Sequence, residues 1–338
     1  MWQRLIDIQK NIVPDILSHM LKRLDILSFI EAEQPIGRRT LARQLGMTER
    51  VLRREVEDLS GLNMIKVDAK GISISENGRE TLKNVEPFLT LIESRNDLAS
   101  QLKTKYPLKD IFVVRGDADQ NAMVKEELTR LMAEVLTENL FNEAVVSVAG
   151  GSTMASVSKF LRPKHEGLLF VPARGGLGED VAFQANSIVS HLAQATSGEH
   201  RMLYAPDSIS KASLESLKEE PMVREIIDLN KRSSMVIHGI GDALQMAKRR
   251  DVTGEVMTGL VNSNAVGEAF GFYFDAEGNI VHKVKTIGLQ LDDLGNKESI
   301  FAVAGGESKK EAVKAYLKLA PRNTILFIDE AVAQYLLG

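Results

Sequence analysis

The sequence predicts an α/β protein in two parts: an N-terminal winged helix-turn-helix domain, then a doubly wound, mostly parallel sheet. Three observations carry this expectation. Residues 36–59 place a short helix, a glycine turn and a longer helix in succession, and residues 64–74 follow with a hairpin pattern. From residue 108 onward, short apolar runs alternate with helical patterns, as in an open sheet covered by helices. The length of 338 residues exceeds the usual span of one core.

Composition removes several classes of function. There are no cysteines, which excludes disulfides, thiolate metal sites and cysteine nucleophiles and fits a reducing, cytoplasmic setting. No apolar run approaches the ~18 residues of a membrane span, and Arg4, Asp7 and Lys10 make the N-terminus unlike a signal peptide, so no membrane partner is expected. The net charge of −4 conceals a local excess: Arg38, Arg39, Arg43, Arg50, Arg53 and Arg54 fall within seventeen residues, opposed there only by Glu49. Placement of charge matters more than its sum.

Taken in order, residues 1–12 set Trp2, Leu5, Ile6, Ile8 and Ile12 at mostly helical spacing before Pro14 interrupts. A second helix over 15–30 has Ile16, Leu17, Met20, Leu21, Leu24, Leu27 and Phe29 or Ile30 as its apolar side. In 36–59, Leu41, Ala42 and Leu45 bury a short helix, Gly46 permits the turn, and Thr48 caps a helix whose inner side is Val51, Leu52, Val56 and Leu59. Arg50, Arg53 and Arg54 then lie near the start and outer side of a recognition helix, where base edges and phosphates are met. A solvated arginine face on a plain helix hairpin is the alternative. The alternating residues 64–67 and 72–74 around Asp68-Ala69-Lys70-Gly71 predict a two-stranded wing, and a winged helix most often binds duplex DNA. The candidate DNA contacts are Arg38, Arg39, Thr48, Arg50, Arg53, Arg54 and Lys70.

Residues 76–105 carry Leu82, Val85, Leu89, Ile92, Leu98 and Leu102 at helical spacings, with a break expected near Pro87. The expected domains are 1–90 for DNA binding, a connecting helix at 91–105, and 106–338 for effector binding and assembly. In the last of these, strands are expected at 111–114, 145–148, 168–171, 201–204, 235–237 and 325–328, with helices at 120–140 and 152–160.

Ligands of open α/β sheets bind outside the carboxyl ends of the strands. Five loops there supply candidates. After the strand at 145–148, Gly150-Gly151 permits a tight turn, and Ser152 or Thr153 can cap a helix over 154–160, so that N–H groups and hydroxyls could hold a phosphate. An ordinary capped turn reads equally well. Arg174 sits on the glycine-rich loop that follows the next strand, with Gln184 and Asn186 beyond it; His238 to Ala243 precede Arg249 and Arg250; Glu268 introduces an aromatic run; and Gly305-Gly306-Glu307-Ser308-Lys309 repeats the strand-Gly-Gly arrangement. Two such loops with separated arginines suggest a doubly phosphorylated or extended anionic ligand. Arginine offers bidentate contacts to phosphate, Lys309 a point charge, and Glu268 and Gln184 suit sugar hydroxyls. Singly, each has a plainer reading: a solvated helix end for Arg249 and Arg250, an exposed turn lysine for Lys309, a satisfied buried histidine for His238.

An enzyme of the sugar-phosphate isomerase or lyase type is the runner-up, with Glu268 as base and His238 or Asp242 as partner. No spacing ties these together, no metal pair or catalytic triad is visible, and a winged helix would serve no isomerase. No cofactor or metal is expected. A third reading makes the second domain an assembly module alone.

The motifs ProIleGlyArgArgThrLeu, LeuGlyMetThrGluArgValLeuArg, LeuPheValProAlaArgGlyGlyLeuGlyGluAspVal, HisGlyIleGlyAspAla, GluAlaPheGlyPheTyrPheAsp and AlaValAlaGlyGly resemble bacterial transcription regulators of the SorC/DeoR type, in particular the branch that governs central glycolytic genes. The resemblance spans almost the whole chain. It implies a sugar-isomerase-like effector domain and an oligomeric repressor, dimer or tetramer, that binds operator DNA and is relieved by fructose 1,6-bisphosphate. The effector residues it implies are Gly150, Gly151, Ser152, Thr153, Arg174, Gln184, Arg249, Arg250, Glu268 and Lys309. Ser152 stands where the family pattern has threonine, and serine keeps the hydroxyl.

Overall fold

The computed structural model describes residues 14–93, 97–162, 165–175, 180–205 and 210–338. The expected helix at 1–12 and Gly176 to Gly178 of the second loop lie outside these residues. The chain divides into two compact units, Met1–Ile92 and Glu93–Gly338.

In the first unit the helices Pro14–Glu33, Arg38–Gln44 and Glu49–Gly61 precede a hairpin of β1 (Ile65–Asp68) and β2 (Gly71–Ile74). Ile26, Ile30, Leu41, Leu52, Val56, Leu59, Ile65 and Ile72 form its core. Gly46, at φ 62, makes the turn, and Thr48 caps the third helix by accepting from the Val51 N–H at 3.4 Å. The hairpin closes on Ala69-Lys70, with Asp68 Oδ1 accepting from Lys70 N at 2.8 Å and Gly71 N at 3.2 Å. Gly71 is required there: its φ is +138, and a Cβ would lie 2.9 Å from the Ile36 carbonyl oxygen. One expectation fails. Val51 is 37% exposed, and the inward position falls instead to Glu55, 4% exposed, because the buried side of the helix is centred on Leu52, Val56 and Leu59.

Helix Glu76–Glu93 runs through Pro87 rather than breaking, at the cost of one backbone donor. The stretch expected as a connector contains helix Asp97–Lys105, whose Ala99 and Leu102 are buried in the core of the second unit.

That unit is built on seven strands in the order β3-β13-β12-β7-β4-β5-β6, every neighbouring pair parallel. They are β3 (Asp110–Val114), β4 (Val145–Val148), β5 (Leu169–Pro172), β6 (Glu199–His200), β7 (Met235–Gly239), β12 (Ser299–Ala304) and β13 (Thr324–Asp329). Alternate residues serve opposite faces: Ile300 and Ala302 join one buried cluster, Phe301 and Val303 the other, so both faces are covered. Ser147, the polar residue of β4, is satisfied inside by Asn230 Oδ1 at 2.6 Å and Ser233 Oγ at 2.9 Å. From β4 the chain winds outward to β5 and β6, and from β7 it winds the other way to β12 and β13. The topological switch point therefore lies between β4 and β7. A second, antiparallel sheet follows β7, in the order β11-β10-β9-β8, formed by β8 (Gly241–Asp242), β9 (Gly267–Ala269), β10 (Phe272–Phe274) and β11 (Ile280–Lys283).

Two further expectations are corrected. Residues 201–204 are not a strand: the Asn186 side chain donates to the Leu203 carbonyl at 3.0 Å and accepts its N–H at 2.9 Å, replacing a ladder there. The helix after β4 spans Ser152–Val157, starting at 152 and ending short of the expected residue 160. Its cap is Gly151, at φ 131, with no side-chain capping bond, so neither Ser152 nor Thr153 acts as the cap.

Candidate functional site

The DNA-binding candidates Arg38, Arg39, Thr48, Arg50, Arg53, Arg54 and Lys70 are all exposed. A groove of about 410 Å³ runs between residues 37–40 and 67–72, and it places Arg38 and Arg39 on one wall and Lys70 on the other. On the recognition helix Glu49–Gly61, Arg53 Nε pairs with Glu57 at 3.0 Å. The residue that sequence reasoning missed is Glu55, beneath this surface. It accepts from Lys22 Nζ at 2.8 Å and Arg23 Nε at 3.0 Å, while Arg23 Nη2 reaches Asp58 at 2.6 Å. Burial alone would raise its pKa, but these hydrogen bonds and charges hold the carboxyl below its ordinary value. The recognition helix is thus pinned ionically to helix Pro14–Glu33.

In the second unit, a cavity of about 590 Å³ opens at the switch point. Of the ten effector candidates, Gly150, Gly151, Ser152, Thr153, Arg174, Arg249, Arg250, Glu268 and Lys309 line it. Gln184 does not; it is the residue before helix Ala185–Thr196, and its neighbours Phe183 and Ala185 line the wall instead.

The loop after β4 is shaped for close approach. A Cβ on Gly150 would sit 2.9 Å from the Phe183 carbonyl oxygen, and the Gly151 N–H donates to that oxygen at 2.9 Å. Ala155 makes the first intrahelical bond, to Gly151 O, which leaves the N–H groups of Ser152, Thr153 and Met154 ahead of the helical ladder. The second glycine loop differs. Its Gly306 N–H donates to Asp329 Oδ2, Glu307 N–H to Asp117 Oδ1 at 3.2 Å and Ser308 N–H to Asp119 Oδ2 at 2.7 Å. Carboxylates already occupy these backbone donors, so this loop does not repeat the open arrangement of the first. Lys309 remains on the wall, its ammonium held 2.9 Å from Gly305 O.

The two adjacent arginines part company. Arg250 Nη1 donates to the Tyr273 hydroxyl at 2.7 Å and Nη2 to Glu268 Oε1 at 2.9 Å, with the side chain 6% exposed. Arg249 is exposed on the cavity wall. Glu268 also receives the Gly271 N–H and lies 3.6 Å from Arg174 Nη1. Burial would raise the Glu268 pKa, but Arg250, then Arg174, outweigh it and keep the carboxylate charged. Gly271, at φ +80, packs so closely that a Cβ would meet Arg174 Nη1 at 2.4 Å. Glu268 thereby anchors the arginines.

The cast needed by an isomerase is not assembled. His238 is 1% exposed, bonded to the Tyr316 hydroxyl at 3.0 Å and Gly239 O at 3.1 Å, and burial depresses its pKa to about 4. It is a neutral core residue. Asp242 caps helix Ala243–Arg249 by accepting from Gln245 N at 2.8 Å. Among the cavity residues without a sequence signal is Lys125, in helix Ala122–Asn139, where it resembles any solvated helical lysine.

A winged helix joined to a doubly wound domain with a cationic cavity at its switch point defines a two-domain transcription regulator. Residues 91–338 match the family described as "Putative sugar-binding domain", and residues 19–89 match the CggR N-terminal DNA binding domain. The chain is 44% identical over 336 residues to the central glycolytic genes regulator of Bacillus subtilis, spanning 99% of this chain and 98% of that protein. It is 42% identical to the regulator of the same name from Priestia megaterium, over 98% of both. Among solved structures, an Enterococcus faecalis chain described as a SorC-family regulator is 38% identical, covering 72% of this chain and all 100% of that one, at TM-score 0.67. The full-length sorbitol operon regulator SorC of Klebsiella pneumoniae, 16% identical, shares the fold over 93% of this chain and 98% of its own, at TM-score 0.66. The chain belongs to the central glycolytic genes regulator family of SorC-type transcription regulators, and is a DNA-binding regulator rather than an enzyme. Among the described residues no helix is long and apolar enough to cross a membrane.

Proposed function

We propose that the chain is an oligomeric, cytoplasmic repressor of glycolytic genes whose hold on operator DNA is relieved by a phosphorylated sugar, fructose 1,6-bisphosphate foremost. One observation carries the effector reading: a single cavity combines the open turn of Gly150 to Thr153 with Arg249 and Lys309. N–H and hydroxyl donors suit one phosphoryl group, and the cations suit a second. The names of the relatives support the choice of genes and hence of a glycolytic sugar. Relief requires that the sugar bind the DNA-competent and released states with different affinity.

The test is a thermal-shift titration of the full chain with fructose 1,6-bisphosphate, fructose 6-phosphate, glucose 6-phosphate and inorganic phosphate. A ligand of the folded state adds about 2.7 kcal/mol of stability at a hundred times its dissociation constant. The expected result is a shift selective for the bisphosphate, and loss of DNA binding under the same conditions. No shift with any sugar phosphate would overturn the effector reading and leave the winged helix untouched.

A further inference from the structure

Helix Glu49–Gly61 buries Leu52, Val56 and Leu59 and leaves Arg50, Arg53 and Arg54 exposed. Val51 is the exception to this division: it is the one large apolar side chain of the helix on the outside, 37% exposed, and it stands apart from the apolar core of the unit. Stability does not ask for it, since an exposed β-branched residue is a poorer helix former than alanine. Residues 51, 55 and 58 share one side of the helix, at spacings of four and three. Glu55 and Asp58 are held there from helix Pro14–Glu33: Glu55 accepts from Lys22 Nζ at 2.8 Å and Arg23 Nε at 3.0 Å, and Asp58 from Arg23 Nη2 at 2.6 Å. A rotation of the helix that buried Val51 would pull both carboxylates from these partners. The ion pairs therefore fix a rotational setting with Val51 outside.

The first turn of a recognition helix is the part that meets base edges in the major groove. Val51 is the third residue of this helix, with Arg50 before it and Arg54 one turn on, so its methyls stand among guanidinium groups that attract a polyanion. Helical side chains lean toward the N-terminus, which carries Val51 toward the end capped by Thr48. The major-groove edge of duplex DNA presents hydrogen-bonding groups at every base pair but a single kind of apolar group, the 5-methyl of thymine. A guanidinium gains little from that methyl, whereas a valine can bury it. We propose that Val51 is a specificity-determining residue, which selects thymine at a position of the operator by packing its own methyls against the 5-methyl of that base. The inference rests on the reading of helix Glu49–Gly61 as the recognition helix and adds the chemistry of one base contact to it.

The experiment uses a duplex recovered from a random-sequence pool by the full wild-type chain. Each thymine of that duplex is replaced in turn by uracil, which removes the 5-methyl and leaves the base pair intact, and affinities are read by fluorescence anisotropy for the wild type and for Val51→Ala. Burial of one methyl carries enough energy that uracil at the contacted position should weaken the wild type about three- to tenfold. Val51→Ala should bind the thymine duplex more weakly by a similar factor and lose little more when uracil is placed there, the non-additivity that marks a direct contact. Its slope of log affinity against log salt should match the wild type, because no charge has been removed, and its melting midpoint without DNA should be unchanged or raised. Uracil substitutions that leave the wild type unchanged, or that weaken wild type and variant equally, would overturn the contact while leaving the recognition helix in place. A lowered midpoint with equal loss on every duplex would mark Val51 as a packing residue and overturn it as well. If the pool yields no preferred sequence, the reading of the recognition helix falls together with the contact. Val51→Thr, which keeps the branched shape and exchanges one methyl for a hydroxyl, gives the same comparison should the alanine variant not fold.

Discussion

Replacing Glu268 with glutamine removes one charge and leaves two guanidinium groups facing a neutral amide. Glu268 is 4% exposed, and the side chains of Arg250 and Arg174 are 6% and 5% exposed, so water cannot compensate. Arg250 keeps its bond to the Tyr273 hydroxyl, but its partner at 2.9 Å becomes uncharged, and the Gly271 N–H loses a carboxylate acceptor. Breaking a buried ion pair by removing one partner costs about 3–5 kcal/mol. For a domain of this size each kcal/mol moves the melting midpoint by about 2–4 °C, so the effector-domain transition should fall by roughly 10 °C. Differential scanning calorimetry of the full chain at neutral pH reads this directly. The difference has a pH dependence of definite sign. Because the carboxyl is held below its ordinary value in the folded chain, its contribution is complete above the ordinary carboxylate range, about pH 4.3, and is lost as pH falls through the folded value. Wild type and variant should therefore converge in acid. Midpoints within 2 °C of each other at neutral pH, by the scale just given, would refute the view that Glu268 anchors the arginines.

Two smaller predictions concern the first unit. Arg54 is exposed on the outer side of the recognition helix, and Arg54→Ala should lower the slope of log affinity for DNA against log salt by about 1; an unchanged slope removes it from the interface. Gly71→Ala must adopt a φ of +138 with its Cβ 2.9 Å from Ile36 O, a strain of order 1–3 kcal/mol, and urea denaturation should show a lower midpoint with an unchanged m-value; an unmoved midpoint would mean the wing relaxes freely.

Much of the fold was legible because it follows from local pattern. The winged helix followed from Leu41, Leu52, Val56 and Leu59 at helical spacing, with Gly46 and Thr48 marking the turn. The parallel sheet followed from short apolar runs between helices. The failures have local causes too. Val51 was expected inside and is exposed, while Glu55 is buried because Lys22 and Arg23, more than thirty positions away, neutralise it. Residues 201–204 looked like a strand, and the Asn186 amide took over the bonds a neighbouring strand would have made.

By itself, then, the sequence determined the winged-helix elements, most strands of the parallel sheet, the glycine turn after β4 and the charge excess of the first unit, since these depend on residues close in the chain. Tertiary structure alone decided which residues compose the cavity. Both Arg249 and Arg250 line it, but Arg249, the last residue of its helix, is exposed, whereas Arg250 just beyond the helix is buried in the ion pair with Glu268. Asp117 and Asp119, in the segment after β3, and Asp329, at the end of β13, occupy the donors of the Gly305-Gly306 loop, and Lys125 reaches Ser152 across 27 positions. Such contacts are set by how the strands are ordered in the sheet, and no local pattern encodes that order.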